Sequence, residues 1–526
     1  MLLLCAPAAA MPPGAQAVID KAGVKLDDAD LYRIAEIYNF WEQKGARLWP
    51  GMHIATTPVQ IVFPEKLDIL IGGAKPPADC EKVDEELPGF GRTYCHRKDR
   101  KFLYGGATGR EGGDIVVSAN TLEVFDDYVN KLVQQRQPGA ARLEKPYLQY
   151  LGEIAHELTH AHQYSEARKL PKKELRGTVK STKIDYPYQD EETCLLLGLE
   201  GRLLADIMDE ADSARLKELW LDFLAVRRAR RARLPGDLPA AERVMELREG
   251  TAQYVGWSVQ YGRNSDVQPL PQLAADPRFS GYASSDTLRD MLRQSLLTLH
   301  LPAQSRWMLY VYTTGTALAY NLEKAVPGWK EGFFRRVGGL RSGLDDLVTR
   351  GMPRSGRDAD RIAAARARYG APALSEEIRK HMAEALADSK AKLDKFHAAP
   401  GRRVRFSLRG AGPEDITAMG PVLLTEHGQR RVWEAGLNKV AVRLGEKNER
   451  AVIFEKAVPV LQYRDAALFE VVLPEGSAPE IRAEKTAVKG GRTVYKGGVE
   501  YRNGVFSWKG DRLETSEKDG VVTLLF

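Results

Sequence analysis

The residues of this chain best suited to chemistry are two histidines and a glutamate, in the run His-Glu-Leu-Thr-His at 156–160. At about 100° per residue, His156 and His160 lie one turn apart on the same face of a helix. Two imidazoles at this spacing can bind one zinc ion, and Glu157 lies beside them, able to reach a water on that metal. The alternative is a core helix with two hydrogen-bonded histidines. It is disfavoured because, with only nine histidines in the chain, chance would give the pattern in on the order of one such chain in a hundred.

A zinc site also needs a third protein ligand, and the candidates lie on a later helix. A helix predicted at Ala240–Gln260 carries Glu246, Glu249 and Gly250. A carboxylate from a second helix can complete a tetrahedral site and leave the fourth position to water. Gly250 has no side chain and would let this helix approach the metal-binding helix closely. Either glutamate could be the third ligand on this reasoning, since they stand one turn apart.

The two segments together resemble the gluzincin metallopeptidases, the clan of thermolysin and aminopeptidase N. That clan takes two histidines from one helix and a glutamate from a later one, in a Glu-Gly-x-Ala context similar to residues 249–252 here. Further on, Tyr312-Thr-Thr-Gly315 resembles the Tyr-x-x-Gly segment of the aminopeptidase-N branch. The resemblance favours Glu249 over Glu246. It implies the zinc ligands His156, His160 and Glu249, the general base Glu157 and the oxyanion donor Tyr312.

The resemblance covers roughly residues 100–350 and implies a zincin-like catalytic domain, with a helical insertion between the second histidine and the later glutamate. It implies one zinc ion per chain and the hydrolysis of a peptide or protein substrate by a zinc-activated water and a glutamate base. Two other functions stay open. One is a non-catalytic binding or scaffold protein of the same fold, and the other is a zinc hydrolase that acts on a non-peptide bond.

Three neighbouring residues are weaker candidates. Glu153 lies one turn before the first histidine and could hydrogen-bond a ligand imidazole, or it is a solvated helix charge. His162 falls about 200° around the helix from the second histidine, so we expect a structural role for it. Tyr310 competes with Tyr312 as the oxyanion donor.

The elements that must position these residues are those of an α+β protein. Strands are predicted at Val59–Phe63, Leu67–Ile71, Lys101–Tyr104 and Asp114–Ser118. The glycine-rich stretch 105–113 is predicted to be a hairpin loop or a loop at the edge of the substrate site. Helices are predicted at Asp27–Gln43, Thr121–Gln134, Glu191–Glu210, Ser213–Arg233, Ala240–Gln260 and, with Ser375 as its N-cap, Ser375–Phe396.

We therefore expect a mainly helical zincin-like catalytic domain with a small N-terminal sheet, followed by a C-terminal all-β domain. The expected parts are a signal remnant at 1–17, an N-terminal α+β part at 18–150, a helical zinc-binding part at 151–350, a helical connector at 351–400 and a β-sandwich or barrel at 401–526. The C-terminal domain contains no recognisable constellation. It is open to substrate or partner binding, or to simple support of the catalytic domain.

The charge balance gives no reason to expect a nucleic-acid partner. The 77 basic and 71 acidic residues leave a net charge of only +6. The densest basic run, Arg227–Arg233, ends a predicted helix, where cations suit the helix dipole. We expect this run to be a solvated helix end, with an anionic partner as the alternative.

The cysteines and the N-terminus favour export to the periplasm or the medium. The first residues resemble the end of a secretory signal, with cleavage candidates after Ala10 and Ala17. No other stretch approaches the roughly 18 apolar residues that a membrane span needs. Cys80 and Cys95 bracket a loop, and we expect a disulfide between them. Cys194, in an apolar run, is expected to be a buried free thiol.

Overall fold

The computed structural model describes residues 11–526 with internal gaps. The gaps are 74, 99–105, 112, 137–138, 168–185, 302–306, 337–342, 352–355, 409, 413–415, 420–423, 429, 435–438, 445–447, 457, 464–465 and 475. Within the described residues, the chain divides into two compact units. The first is drawn from Met1–Val179, Leu195–His300 and Leu309–Ala371, and the second from Lys180–Cys194, Leu301–Met308 and Pro372–Phe526.

The helices alternate with connections of varied length. They are α1 (Pro13–Ala22), α2 (Asp28–Leu48), α3 (Leu122–Arg136), α4 (Tyr147–Ala167), α5 (Glu191–Asp209), α6 (Ser213–Arg233), α7 (Leu238–Met245), α8 (Thr251–Tyr261), α9 (Leu288–Leu297), α10 (Trp307–Ala325), α11 (Phe333–Arg336), α12 (Asp345–Gly351), α13 (Asp358–Arg368) and α14 (Ala371–Ala398). A π-helical turn, Glu246–Gly250, joins α7 to α8. No helix in the described part of the chain is long and apolar enough to span a bilayer.

The strands fall into an N-terminal and a C-terminal group. The first group is β1 (Val59–Phe63), β2 (Leu67–Ile71), β3 (Glu81–Leu87), β4 (Arg92–Arg97), β5 (Ala107–Glu111) and β6 (Asp114–Ala119). The second is β7 (Arg402–Ser407), β8 (Ile416–Met419), β9 (Leu424–His427), β10 (Arg430–Trp433), β11 (Lys439–Leu444), β12 (Asn448–Phe454), β13 (Val460–Tyr463), β14 (Leu468–Leu473), β15 (Glu480–Arg482), β16 (Lys485–Lys489), β17 (Arg492–Arg502), β18 (Phe506–Lys518) and β19 (Val521–Leu525).

The N-terminal sheet packs against the helix that carries the two histidines of the candidate site. Its strand order is β3-β4-β2-β1-β6-β5, and β1 pairs parallel with β6 while the other pairs are antiparallel. Every residue of β1 and β2 is buried, including Gln60 and Asp68, whose side chains hydrogen-bond to each other. Helix α4 packs against β5 and β6 and against α8. The sheet thus fixes one side of α4, and α8 fixes another.

The disulfide between Cys80 and Cys95 is confirmed, with a Cα–Cα distance of 5.6 Å. It ties the start of β3 to β4, and Cys95 packs in a small core with Leu70 and Val116. Cys194 is buried and free, as expected. The link stabilises a hairpin whose first strand is largely exposed.

Several boundaries differ from the sequence-based predictions. Helix α2 starts from a capping box at Asp27 and runs to Leu48, past the predicted end. Helix α14 begins at Ala371, so Ser375 is not its N-cap. The predicted strand 101–104 and residues 1–10 lie outside the described residues. From Pro13 the N-terminal segment is helical.

The second unit contains a β-rich C-terminal region, as predicted. Its central strands run β18-β19-β7-β14, with β7 and β19 parallel. Phe406, Phe469 and Phe506 lie at the centre of its core. The end of α14 packs on this region, because Leu393 and Phe396 form an apolar cluster with residues of β10 and β13. This helix, from Pro372 onward, therefore groups with the C-terminal strands.

Candidate metal centre

Helix α4 and the π-helical turn bring His156, His160 and Glu249 together. Their ligand atoms all lie within 4.8 Å of one another. Nε2 of His160 is 3.1 Å from Oε2 of Glu249, and Nε2 of His156 is 3.5 Å from the same oxygen. His160 and Glu249 are buried, whereas the side chain of His156 remains 12% exposed. This group could hold a metal ion.

The distances from the two imidazoles to Glu249 fit a tetrahedral ion. Zinc binds imidazole nitrogen and carboxylate oxygen at about 2.0–2.1 Å, so adjacent ligand atoms of a tetrahedral site lie about 3.3 Å apart. The two nitrogen-to-oxygen separations, 3.1 and 3.5 Å, bracket that value. Among the described residues the group has three members, which leaves a fourth position for water or substrate.

His160 is oriented by Gln163, one turn further along α4. Oε1 of Gln163 lies 2.8 Å from Nδ1 of His160, and its amide group donates to the Arg248 carbonyl and to Thr251. A hydrogen bond at Nδ1 directs Nε2 toward the metal position. Burial alone lowers the pKa of His160, but the hydrogen bond to Glu249 and its charge raise that pKa overall. Sequence reasoning missed Gln163, although its i+3 spacing could have indicated it.

Glu249 is held as a carboxylate by several donors. Its Oε2 accepts a hydrogen bond from the Tyr312 hydroxyl at 2.7 Å, and its Oε1 accepts one from Arg248 at 2.9 Å. Burial alone would raise the pKa of Glu249, but hydrogen bonds from His156 and His160 move that pKa well below its usual range. Burial and then the charge of Glu249 raise the pKa of Tyr312, so its hydroxyl stays protonated. Tyr312 also stacks on His156 at an interplanar angle of 13°.

The π-helical turn explains why Glu249 reaches the site and Glu246 does not. In an α-helix, residues three apart lie on nearly the same face, and the extra residue of a π turn rotates the second away from the first. Glu246 is fully buried and accepts from Arg227 at 2.7 and 3.0 Å and from Thr314 at 2.6 Å. The alternative third ligand is thus held in a separate ion network.

That network overturns the prediction of a solvated helix end at 227–233. Arg227, Arg230 and Arg231 are buried. Their carboxylate partners are Glu200, Glu242, Glu246 and Asp345. Buried cations persist only when they are paired and hydrogen-bonded. The sequence did not reveal this pairing, because the carboxylates come from α5, α7, α12 and the π-helical turn.

Glycines set the distances between the helices of the site. A Cβ at Gly256 would lie 2.5 Å from the carbonyl oxygen of Gly152, so the two glycines let α4 and α8 cross closely. A Cβ at Gly315 would lie 2.8 Å from Cα of Gly250. Gly250 was expected to permit contact with the metal-binding helix. It instead permits contact between the π-helical turn and α10, which carries the tyrosine of the site.

Glu157 lies against β5, at the edge of the N-terminal sheet. The Thr108 hydroxyl is 2.7 Å from Oε2 of Glu157, and a Cβ at Gly106 would lie 2.8 Å from its Cγ. The prediction of a loop throughout 105–113 was wrong, since Ala107–Glu111 pairs with β6. Its glycines obscured the strand pattern, so sequence reasoning also missed Thr108. Thr108 orients the Glu157 carboxylate from the opposite side to the helix.

The weaker candidates lie apart from the three ligand atoms. Glu153 forms an ion pair with Lys145, not with a ligand imidazole. His162 packs edge-on against an aromatic ring at a centroid separation of 5.7 Å. Tyr310 donates to Glu242 at 2.7 Å, so of the two competing tyrosines only Tyr312 reaches the metal position.

A cleft of about 490 Å³ opens beside the centre. Its walls include His156, Glu157 and Tyr312, together with polar side chains of α4 and α8. A group bound in this cleft would contact the exposed edge of the metal position and the Glu157 carboxylate. The arrangement can therefore bring together a metal ion, a carboxylate base and a phenolic hydrogen-bond donor.

Comparison with known proteins adds no assignment. No family model, curated protein or solved structure matches the chain. The function must be inferred from the metal centre and the cleft beside it.

Proposed function

We propose that the chain is a zinc-dependent metallopeptidase. The observation that carries this proposal is the convergence of His156, His160 and Glu249, with ligand atoms within 4.8 Å of one another, beside the cleft that also holds Glu157. Two imidazoles and one carboxylate with an open fourth position form one of the ligand sets found in catalytic zinc sites. The resemblance to gluzincins, carried by the same residues, is part of the proposal.

Hydrolysis of a peptide bond at this site needs a general base, a hydrogen-bond donor to the oxyanion and an activated water. Zinc bound by this group would lower the pKa of a water from 15.7 toward about 7 and polarise the scissile carbonyl. Glu157 would accept the proton of the attacking water and pass it to the leaving amine. Tyr312 is protonated and would turn from Glu249 to donate to the developing oxyanion. Thr108 would hold the Glu157 carboxylate in place.

A peptide could approach along β5. In the described sheet β5 is the terminal strand, paired only with β6, and Gly106 and Thr108 are next to Glu157. An extended peptide can add to an exposed sheet edge through main-chain hydrogen bonds. Addition here would bring the peptide backbone past the base.

The first test is metal content by elemental analysis, on the wild type and on His160→Ala and Glu249→Ala. We expect about one zinc per chain in the wild type and its loss in both variants, since each removes one of three ligands. Absence of zinc from the wild type after reconstitution at neutral pH would contradict the proposal.

The second test separates catalysis from metal binding. Glu157→Gln should keep the zinc and lower peptide turnover at least about a hundredfold, because general-base catalysis contributes about 10²–10⁴. Glu166→Gln, the same change later on α4, is the matched control and should retain turnover. Retained zinc with no cleavage of a broad peptide library by the wild type would leave a non-catalytic binding protein or a hydrolase of a non-peptide bond.

We also propose that the protein is exported. The Cys80–Cys95 disulfide supports this, because such links form and persist in oxidising compartments. Peptide mapping without a reductant, on protein recovered from the source cells, would test it. A reduced pair in that sample would count against export.

A further inference from the structure

The end of the cleft away from the metal position is lined by neutral hydrogen-bonding side chains. Helices α4 and α8 cross at Gly152 and Gly256, and side chains from both face the space beside this crossing. Five of these side chains each carry a neutral polar group: Gln149, Gln253, Trp257, Gln260 and Tyr261. Three carboxamides, an indole N–H and a phenol supply both donors and acceptors.

None of these five side chains has a hydrogen-bond partner among the residues that the structure describes. Around the metal centre, by contrast, polar side chains such as those of Gln163 and Thr108 are hydrogen-bonded within the protein. The amides of the cleft are therefore available to a ligand.

The charges of the cleft further restrict the kind of ligand group that can bind there. Among the described residues lining it, the formally charged side chains are Glu153 and Glu157. Glu153 is paired with Lys145, and Glu157 is held by Thr108. Away from the metal position, that lining contains no lysine or arginine that could compensate an anionic group leaving water.

An apolar group is equally poorly matched. The described lining contains no aliphatic side chain, and its aromatic members each carry a hydrogen-bonding atom. An apolar group placed there would remove water from several donors and acceptors without replacing the lost hydrogen bonds. Each group left unsatisfied in this way weakens binding, which is why polar sites reject apolar isosteres strongly.

We propose that this cleft selects a neutral hydrogen-bonding residue, with a carboxamide or hydroxyl side chain, next to the bond that is cut. The inference rests on the proposed peptidase function and names its substrate class. The carboxamides of Gln253 and Gln260, on one face of α8, form one wall of the subsite. Gln149, on α4, also lines the subsite.

The test uses capped peptides Ala-Ala-Xaa-Ala-Ala, in which Xaa is one member of a near-isosteric pair. The pairs are Asn and Leu, Thr and Val, and Gln and Glu. We expect the zinc-loaded wild type to show a kcat/KM at least about tenfold higher for the first member of each pair, the ratio that one unsatisfied hydrogen bond of about 1.4 kcal/mol produces. Equal or better cleavage of the Leu and Val peptides would overturn the inference.

Two variants locate the selectivity. Gln260→Leu and Gln253→Leu should each lower the Asn-to-Leu ratio about tenfold, mainly through faster cleavage of the Leu peptide. Gln294→Leu, on α9 and outside the cleft, is the matched control and should keep the ratio. Unchanged ratios in both cleft variants would also overturn the inference.

Binding separates this inference from the proposed function. The same peptides are titrated calorimetrically into zinc-loaded Glu157→Gln. Tighter binding of the Asn and Thr peptides by tenfold, without cleavage of any peptide by the wild type, would retain the subsite and refute the peptidase. Cleavage with a preference for Leu or Val would retain the peptidase and refute the subsite.

Discussion

Replacement of Gly315 by alanine tests how the two helical segments of the centre are spaced. A Cβ at this position would lie 2.6 Å from the Glu246 carbonyl oxygen and 2.8 Å from Cα of Gly250. Ordinary van der Waals contact begins at 3.4 Å, so the π-helical turn and α10 must separate by about 0.8 Å to accept the methyl group. These two segments carry Glu249 and Tyr312, which are joined by a hydrogen bond of 2.7 Å.

The expected magnitudes follow from this separation. Overpacking costs about 1–3 kcal/mol, and the upper part of that range, about 2–3 kcal/mol, applies here because the added Cβ meets backbone atoms that cannot move aside. Replacing glycine by alanine inside a helix normally gains up to about 1 kcal/mol. We therefore expect a net loss of about 1–2 kcal/mol, or a fall in Tm of about 2–8 °C. Metal sites tolerate about 0.2 Å in ligand position. The separation of about 0.8 Å exceeds this tolerance. It should weaken zinc binding about 10–100-fold, the loss that is typical when a residue supporting a metal ligand is changed.

The assay compares Tm of the metal-free protein and zinc affinity from chelator competition. The control is Gly109→Ala in β5, where an added Cβ meets no atom within 4 Å. The control should unfold and bind zinc as the wild type does. If Gly315→Ala were as stable as the wild type and bound zinc equally well, the close contact between the two segments would be refuted.

Three further results are expected. Thr108→Val keeps the side-chain shape but removes the hydroxyl that contacts Glu157, so peptide turnover should fall about tenfold with zinc retained, and an unchanged kcat would contradict the role of Thr108. Burial, then the hydrogen bond with Glu123, raises the pKa of Asp30 to about 8, so the stability contributed by its protonated form is present below about pH 4 and is lost as the pH rises through 8. In thermal unfolding, Asp30→Asn should accordingly lose less stability than the wild type between pH 5 and pH 8. An equal loss would refute the raised pKa of Asp30. Burial, then the charge of Asp190, raises the pKa of Cys194 to about 12, so iodoacetamide at pH 8 should label this thiol only after unfolding, as read by mass spectrometry of its peptide.

The local features of this chain were predictable because their causes are local. The bounds of β1 and β2 match their predictions residue for residue, since a short run rich in apolar residues sets each one. The bounds of α6 also match, and the Asp212 side chain caps its start. The spacing of His156 and His160 likewise places both imidazoles on one face of α4. The disulfide was predictable from two cysteines that bracket a loop.

Features that depend on packing were not predictable in the same way. Residue spacing did not distinguish Glu246 from Glu249 as the third ligand, because the π-helical turn that separates them forms where α10 packs against it. Thr108 was missed because its strand is defined by pairing with β6, not by its own apolar pattern.

The sequence by itself determined that two imidazoles share one helix face with a carboxylate beside them. It also indicated a small N-terminal sheet and a β-rich C-terminal region. Only the tertiary structure decided which glutamate meets those imidazoles, which threonine orients Glu157, and that Arg227 is buried among carboxylates. The physical reason is that the spacing of side chains within one helix is fixed by its backbone geometry. Charge pairing and ligand geometry join residues that are far apart in the chain, and only the packing of helices and strands sets those distances.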